Sequence, residues 1–192
     1  MKLNKQLRSL LIPAYRPCAS FSDICCKMVW DPQRGHIPRG FCGATGTLDD
    51  VRLVLVCAEP GDPHVNENHA CNPTPEGYLN SAYSYAWGCF ATGKDQFHRN
   101  IRSILDLCFP RMDFTEQMHY AFITDAVLCS AASEGGRVNS GIEDYCVKTY
   151  LAKLIDKMPN ATIVALGCKA QNRLRRANIT GFISAFAAAP PG

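Results

Sequence analysis

The sequence lacks any apolar run of the roughly 20 residues that a membrane-spanning helix requires, which excludes that class of protein. It also lacks an export signal. Met1 to Ile12 carries basic residues and a few leucines, but the apolar stretch is too short and too interrupted for a signal h-region. The expected compartment is therefore the cytosol. Charge of one sign is scarce: 20 Lys and Arg stand against 17 Asp and Glu, for a formal net charge of +3. A nucleic-acid role would therefore need a local basic face rather than an overall field. Two clusters offer one, Arg173 with Arg175 and Arg176, and Arg99 with Arg102, and solvated helix faces explain them equally well. No H-x-E followed by P-C-x-x-C occurs, which excludes the zinc-deaminase signature. Internal repeats and low-complexity tracts are absent.

What the chain does have is cysteine, 11 in 192 residues. In a reducing compartment this number points to metal binding, redox chemistry or plain burial rather than to a disulfide framework. Cys57, Cys108 and Cys168 lie in apolar elements and are expected to act there as small hydrophobes. With 47% hydrophobic and 19% charged residues, the composition suits one globular domain over 1–192.

Along the chain, residues 1–50 are rich in Cys, Pro, Gly and Arg, which predicts a short N-terminal helix and then an irregular segment. A strand over Val51–Ala58 leads into a polar connection, Glu59 to Gly93, read as one long loop with Tyr78, Tyr83, Tyr85, Trp87 and Phe90 crowded into its second half. Apolar residues at three- and four-residue spacing predict helices over Asp95–Cys108 and Ile142–Lys157, and Cys168–Ala177 is a further helix. Strands are expected at Tyr120–Leu128, Ala161–Leu166 and Phe182–Phe186, with a small-residue loop over Ser130–Ser140. Strands alternating with helices predict an α/β protein, three layers α/β/α, around a mainly parallel four-stranded sheet.

Two apolar runs carry acids. Leu53–Ala58 stops at Glu59-Pro60-Gly61, and Phe122–Cys129 holds Asp125 in its middle, where a purely structural strand would seldom bury a charge. In open parallel sheets ligands bind beyond the carboxyl ends of the strands, so both acids are expected at one site, with the tail Ala187–Gly192 nearby.

These residues resemble the uracil-DNA glycosylase superfamily, and most closely its iron-sulfur branch. The likeness covers about Val51 to Phe186. It rests on Ile123-Thr124-Asp125-Ala126-Val127-Leu128-Cys129, then Cys146, then Ala161-Thr162-Ile163-Val164-Ala165-Leu166-Gly167, in that order. Cys57-Ala58-Glu59-Pro60-Gly61 is similar to the superfamily's first motif, a strand followed by G-x-x-P-G or G-x-x-P-Y. The resemblance implies hydrolysis of the N-glycosidic bond of uracil or a related deaminated base in DNA. Glu59 would orient the water and stabilise the positive charge that develops on the sugar. Phe90 would stack on the extruded base, with packing into the core an equal alternative for that ring, and Asp125 and Gly61 would complete the base-binding site. The partner would be DNA containing a damaged base, bound by a monomer.

The chain departs from the family pattern twice. Asp125 stands where the family has Asn, and an ionised Asp only accepts hydrogen bonds, so uracil O4 would face a negative charge unless burial keeps the acid protonated. The motif H-P-S or H-P-A after the last strand has no counterpart in Phe186–Gly192, which contains no His. The expectation is either weak activity or a sequence that continues further, with His64, His69 or His98 as substitute donors.

The iron-sulfur branch also implies a structural 4Fe-4S cluster that would hold down the N-terminal segment. Cys129 and Cys146 match two of its ligands, and two more would come from Cys18, Cys25 and Cys26, four of these five in all. The branch's usual C-x-x-C is replaced by C-x6-C-C, with Cys42 as a further choice. Unligated buried thiols and zinc are the alternatives. Two other functional classes stay open: a nucleic-acid-binding protein of the same fold without turnover, and a small-molecule α/β enzyme using Cys57 or Cys129 as nucleophile.

Overall fold

A computed structural model describes residues 2–16 and 28–189. Its centre is a five-stranded mixed sheet in the order β1-β3-β2-β4-β5, where β1 is Cys42–Gly43, β2 Leu53–Cys57, β3 Ala121–Asp125, β4 Thr162–Leu166 and β5 Ile183–Ala185. β2, β3, β4 and β5 run parallel, and β1 adds an antiparallel edge, Cys42 opposite Ile123. The expected count of four strands is therefore corrected to five. β1 is only two residues long and has no alternation to read. It forms because Gly43, at φ 98°, passes so close to β3 that a Cβ there would come within 2.2 Å of the Ala121 carbonyl oxygen.

All five residues of β2 and of β3 are buried. Alternate β2 residues enter two separate apolar clusters. Val54 and Val56 join one with Leu7, Leu11, Leu79, Tyr83, Leu154 and Leu174, while Leu53, Leu55 and Cys57 join another with Phe90, Ile101, Leu105 and Met118. Continuous apolar composition in β2 follows from this two-sided burial. At about 1.5–3 kcal/mol for each fully buried aliphatic side chain, these strands anchor the fold.

Among the described residues seven α-helices accompany the sheet: α1 Lys5–Leu11, α2 Pro75–Thr92, α3 Gln96–Cys108, α4 Phe114–Tyr120, α5 Ser140–Cys146, α6 Ala152–Asp156 and α7 Cys168–Arg176. A π-helical turn, Val147–Leu151, links α5 to α6, so the single helix expected over Ile142–Lys157 is interrupted. None of the described helices is long and apolar enough to cross a membrane.

The largest departure from expectation is α2. Residues 75–92 form an 18-residue helix, not the second half of a loop. Its ends were legible: Thr74 caps the N-terminus by accepting from Gly77 N–H, Pro75 takes the first position, and Gly93 closes the helix at φ 61°. Apolar residues are scattered around α2 rather than confined to one stripe, which hid the helical period. α4 was also not foreseen, although Asp113 and Glu116 form a complete capping box before it. β3 ends at Asp125, so this acid lies at a strand tip and not inside the strand.

Candidate functional site

The carboxyl ends of β2 and β3 are level. Cys57 is paired with Asp125, and the chain continues into Glu59 on one side and Ala126 on the other, with Ala126 N–H donating to the Cys57 carbonyl. Both acids thus stand at one edge of the sheet.

Glu59 is held from α7. Lys169 Nζ lies 2.6 Å from Oε1, and the Arg173 guanidinium contacts Oε2. The Glu59 side chain is 6% exposed and Arg173 is 1% exposed. Arg173 also bonds Glu143 Oε1 through Nε at 2.8 Å, and Arg176 joins Glu143 to Asp144. Of the cluster Arg173, Arg175 and Arg176, the first is therefore an internal bridge between two carboxylates and not part of a solvated face. Lys169 further donates to the carbonyls of Gly135 (2.9 Å) and Gly136 (3.1 Å), which ties the Ser130–Ser140 loop to Glu59.

Asp125 has the opposite surroundings. It is buried, and its pKa is pushed well above the usual carboxylate range, by burial first and by the negative charge of Glu59 second; Arg39 and Arg173 pull it back only in part. Its Oδ2 lies so close to Gly40 that a Cβ there would come within 1.7 Å, and Gly40 adopts φ 87°. A glycine is required at that position on both counts. In its protonated form a carboxyl such as that of Asp125 carries one O–H donor and one carbonyl acceptor, the same pair of functions that an Asn amide presents.

Arg39 fastens the loop around Gly61. Its Nη2 donates to the Gly61 carbonyl and to Ser130 Oγ at 3.1 Å, and its Nε is 3.4 Å from Glu67 Oε1. Gly61 itself packs beside Glu134, whose Oε1 would be 2.7 Å from a Cβ at this position.

Phe90 lies on α2, not on a loop, and is 2% exposed. Its ring meets His98 edge-on at 4.7 Å and Phe97 at 6.0 Å, within the apolar cluster that also holds Cys57. The structure therefore puts Phe90 in the core, the outcome that the sequence left level with base stacking. A surface hollow of about 450 Å³ is lined by Lys2, Lys5, Arg8, Leu79 and Tyr83 among others, and none of Glu59, Asp125 or Phe90 borders it.

The connection after Glu59 carries a second polar cluster. Buried His69 lies 3.0 Å from Glu67 Oε1 and 2.7 Å from Ser81 Oγ. His64 Nε2 lies 3.0 Å from Asp95 Oδ2, and His98 Nδ1 lies 2.8 Å from Asp95 Oδ1. The three histidines named as substitute donors are thus all engaged with acids.

Among the cysteines, Cys129 and Cys146 are buried. Cys129 is near enough to Tyr15 for its charge to help burial raise the Tyr15 pKa, and Cys146 packs with Val127 and Met28. Met28 bridges to Ala131, and Val29 N–H donates to the Ser130 carbonyl at 3.1 Å. Cys18, Cys25 and Cys26 lie outside the described residues. Cys42 belongs to β1 and the core, where burial pushes its thiol up. The Cys57 thiol is likewise pushed up, by burial and then by Asp125, which removes the thiolate character a nucleophile needs.

Sequence reasoning found Glu59 and Asp125 because apolar runs end beside them. It missed Arg39, Lys169 and the bridging role of Arg173, whose contacts with Gly61 and Glu59 span 22 residues for Arg39, 110 for Lys169 and 114 (173 − 59) for Arg173. No protein-family model matches this chain, and no curated protein matches it either.

Proposed function

We propose that this protein is a three-layer α/β/α hydrolase of the uracil-DNA glycosylase type, acting on uracil or a related deaminated base in DNA. The observation that carries the reading is the pair of acids at neighbouring strand tips, Glu59 held beside cations and Asp125 held toward its neutral form. Apolar clusters on both sides of β2 and the parallel order β3-β2-β4-β5 support the layered arrangement.

In this reading Glu59 orients a water against the sugar carbon while the bond to the base nitrogen breaks. The bonding pair leaves with the base while the Glu59 carboxylate offsets the positive charge on the sugar; the water oxygen then bonds the sugar carbon, and its proton passes to Glu59 and on to the departed base anion. Asp125, kept protonated, donates to uracil O4 and accepts from N3–H, so the substitution of Asp for the family's Asn preserves the donor-acceptor pair. Cys129 and Cys146, with ligands from Cys18, Cys25 and Cys26, would hold a 4Fe-4S cluster. The support is that both flanks of residues 17–27 lie near this pair: Tyr15 beside Cys129, and Met28 against Cys146. The cluster would tie that segment to the sheet.

The test is incubation with a uracil-containing oligonucleotide, followed by alkali to reveal abasic sites. Wild-type protein is expected to produce them, and Glu59→Gln to lose about 10²–10⁴-fold in rate. One observation favours a second reading, a binding protein without turnover: the catalytic carboxylate is ion-paired on both oxygens and Phe90 is covered. Absence of abasic sites with uracil, xanthine and cytosine lesions, together with salt-sensitive DNA binding, would establish that reading instead.

A further inference from the structure

Three metal-ligating side chains converge away from the strand tips. His64 lies in the connection after β2, Asp95 caps the N-terminus of α3, and His98 occupies the first turn of that helix. The candidate ligand atoms of all three lie within 4.8 Å of one another. We infer that His64, Asp95 and His98 form a site for a divalent transition-metal ion, with two imidazole nitrogens and one carboxylate as protein ligands.

Several features distinguish this group from an ordinary surface hydrogen-bond network. The two imidazole rings stand 6.0 Å apart about one carboxylate, and each offers a different oxygen of that carboxylate its nearest nitrogen. His98 Nδ1 is buried and only 2.8 Å from Asp95 Oδ1, so ring and carboxylate are held face to face, and a metal would displace the proton between them and take both as ligands. Bonds of about 2.0–2.2 Å to nitrogen and oxygen require donors roughly 3–4 Å apart, which small side-chain rotations reach from the present spacing.

The surroundings also resemble the outer shell of a metal site. Tyr85 Oη is 3.1 Å from His64 Nδ1, so the ring nitrogen that faces away from Asp95 is held, and Lys94 Nζ bonds the same hydroxyl at 2.6 Å. The His64 backbone N–H donates to Glu67 at 3.2 Å, which fixes the loop carrying it. The His98 ring rests against Phe90. His64 and Asp95 are 30% and 42% exposed, leaving water or a ligand access to the remaining coordination positions.

Two imidazoles with one carboxylate and open positions suit Zn²⁺, Co²⁺ or Fe²⁺ and disfavour Mg²⁺ or Ca²⁺, which prefer oxygen ligands. Metal here would clamp the connection that begins at Glu59 onto α3. The inference does not rest on the glycosylase reading and also holds for a binding protein.

The test uses the full-length protein, titrated with Zn²⁺ by calorimetry and with Co²⁺ by visible absorption. Expected are one equivalent of Zn²⁺ and Co²⁺ ligand-field bands without sulfur charge transfer, which separates the site from any thiolate-bound metal. His98→Ala and His64→Gln should each weaken binding at least tenfold and abolish those bands. Because His64 is partly exposed, His64→Gln keeps the fold, verified by an unchanged circular dichroism spectrum. Wild-type protein that shows only thiolate-type Co²⁺ absorption, or none, overturns the inference, as does wild-type affinity in both variants.

Discussion

Glu59 and Asp125 occupy equivalent places, the tips of adjacent parallel strands, and yet their environments are opposite. Glu59 faces α7, which brings Lys169 and Arg173 onto its two oxygens. Asp125 faces Gly40 and the loop after residue 28, where Arg39 is occupied by Gly61, Ser130 and Glu67. Cations set beside one acid leave the other to bear the cost of burial, and the first charge adds to the second acid's penalty. Equal depth in the sheet therefore does not give the two acids equal surroundings; the helix beside Glu59 makes the difference.

The sharpest way to break this contrast is Arg173→Met. It would leave Glu59 and Glu143 without their shared buried cation, and a loss of about 3–5 kcal/mol is expected in urea unfolding, with the midpoint lowered.

Next in size is the pH response of Asp125→Asn. The folded-state pKa of Asp125 is raised, so the acid carries no penalty below the unfolded carboxylate range near pH 4. Stability then declines as pH rises from there to the folded pKa. Asn has no proton to lose, so the variant should gain on wild type by up to roughly 1.4 kcal/mol per pH unit across that window. Parallel stability curves from pH 4 to 8 would show that Asp125 ionises in the fold like any surface acid.

Gly40→Ala should cost about 2–3 kcal/mol, because φ 87° is unfavourable for alanine and its Cβ would strike Asp125 Oδ2. In an Asp125→Ala background part of that cost should disappear, since the collision goes and the backbone strain stays. Thermal unfolding of both pairs measures the difference.

Smallest is Lys169→Ala, within about 1 kcal/mol, because that side chain is 46% exposed. Its informative effect is on rate: with one ion pair gone, Glu59 Oε1 is free to hold a water, so under the proposed glycosylase function excision of uracil should rise while stability barely moves.

Much of the sheet was legible. Leu53–Cys57 and Thr162–Leu166 announced themselves as short apolar runs closed by turn residues, and Asp95–Cys108 by its helical spacing. β1 was not, because two residues carry no period and owe their pairing to β3 alone. α2 was read as loop because its aromatics point in several directions, although Thr74-Pro75 and Gly93 marked both ends. At the site, the acids were visible as interruptions of apolar runs, whereas the meeting of His64 with Asp95 and His98 needed the chain to return across 31 residues.

By itself the sequence determined which segments must be buried, where the strands stop and which carboxylates lie at their ends, since burial of apolar runs and turn chemistry are local properties. Only the tertiary structure decided that Arg173 is an internal bridge, that Phe90 is core, and that Asp125 favours its neutral form. Those outcomes depend on distances between groups far apart in the chain, and electrostatic and packing energies follow distance in space, not position in sequence.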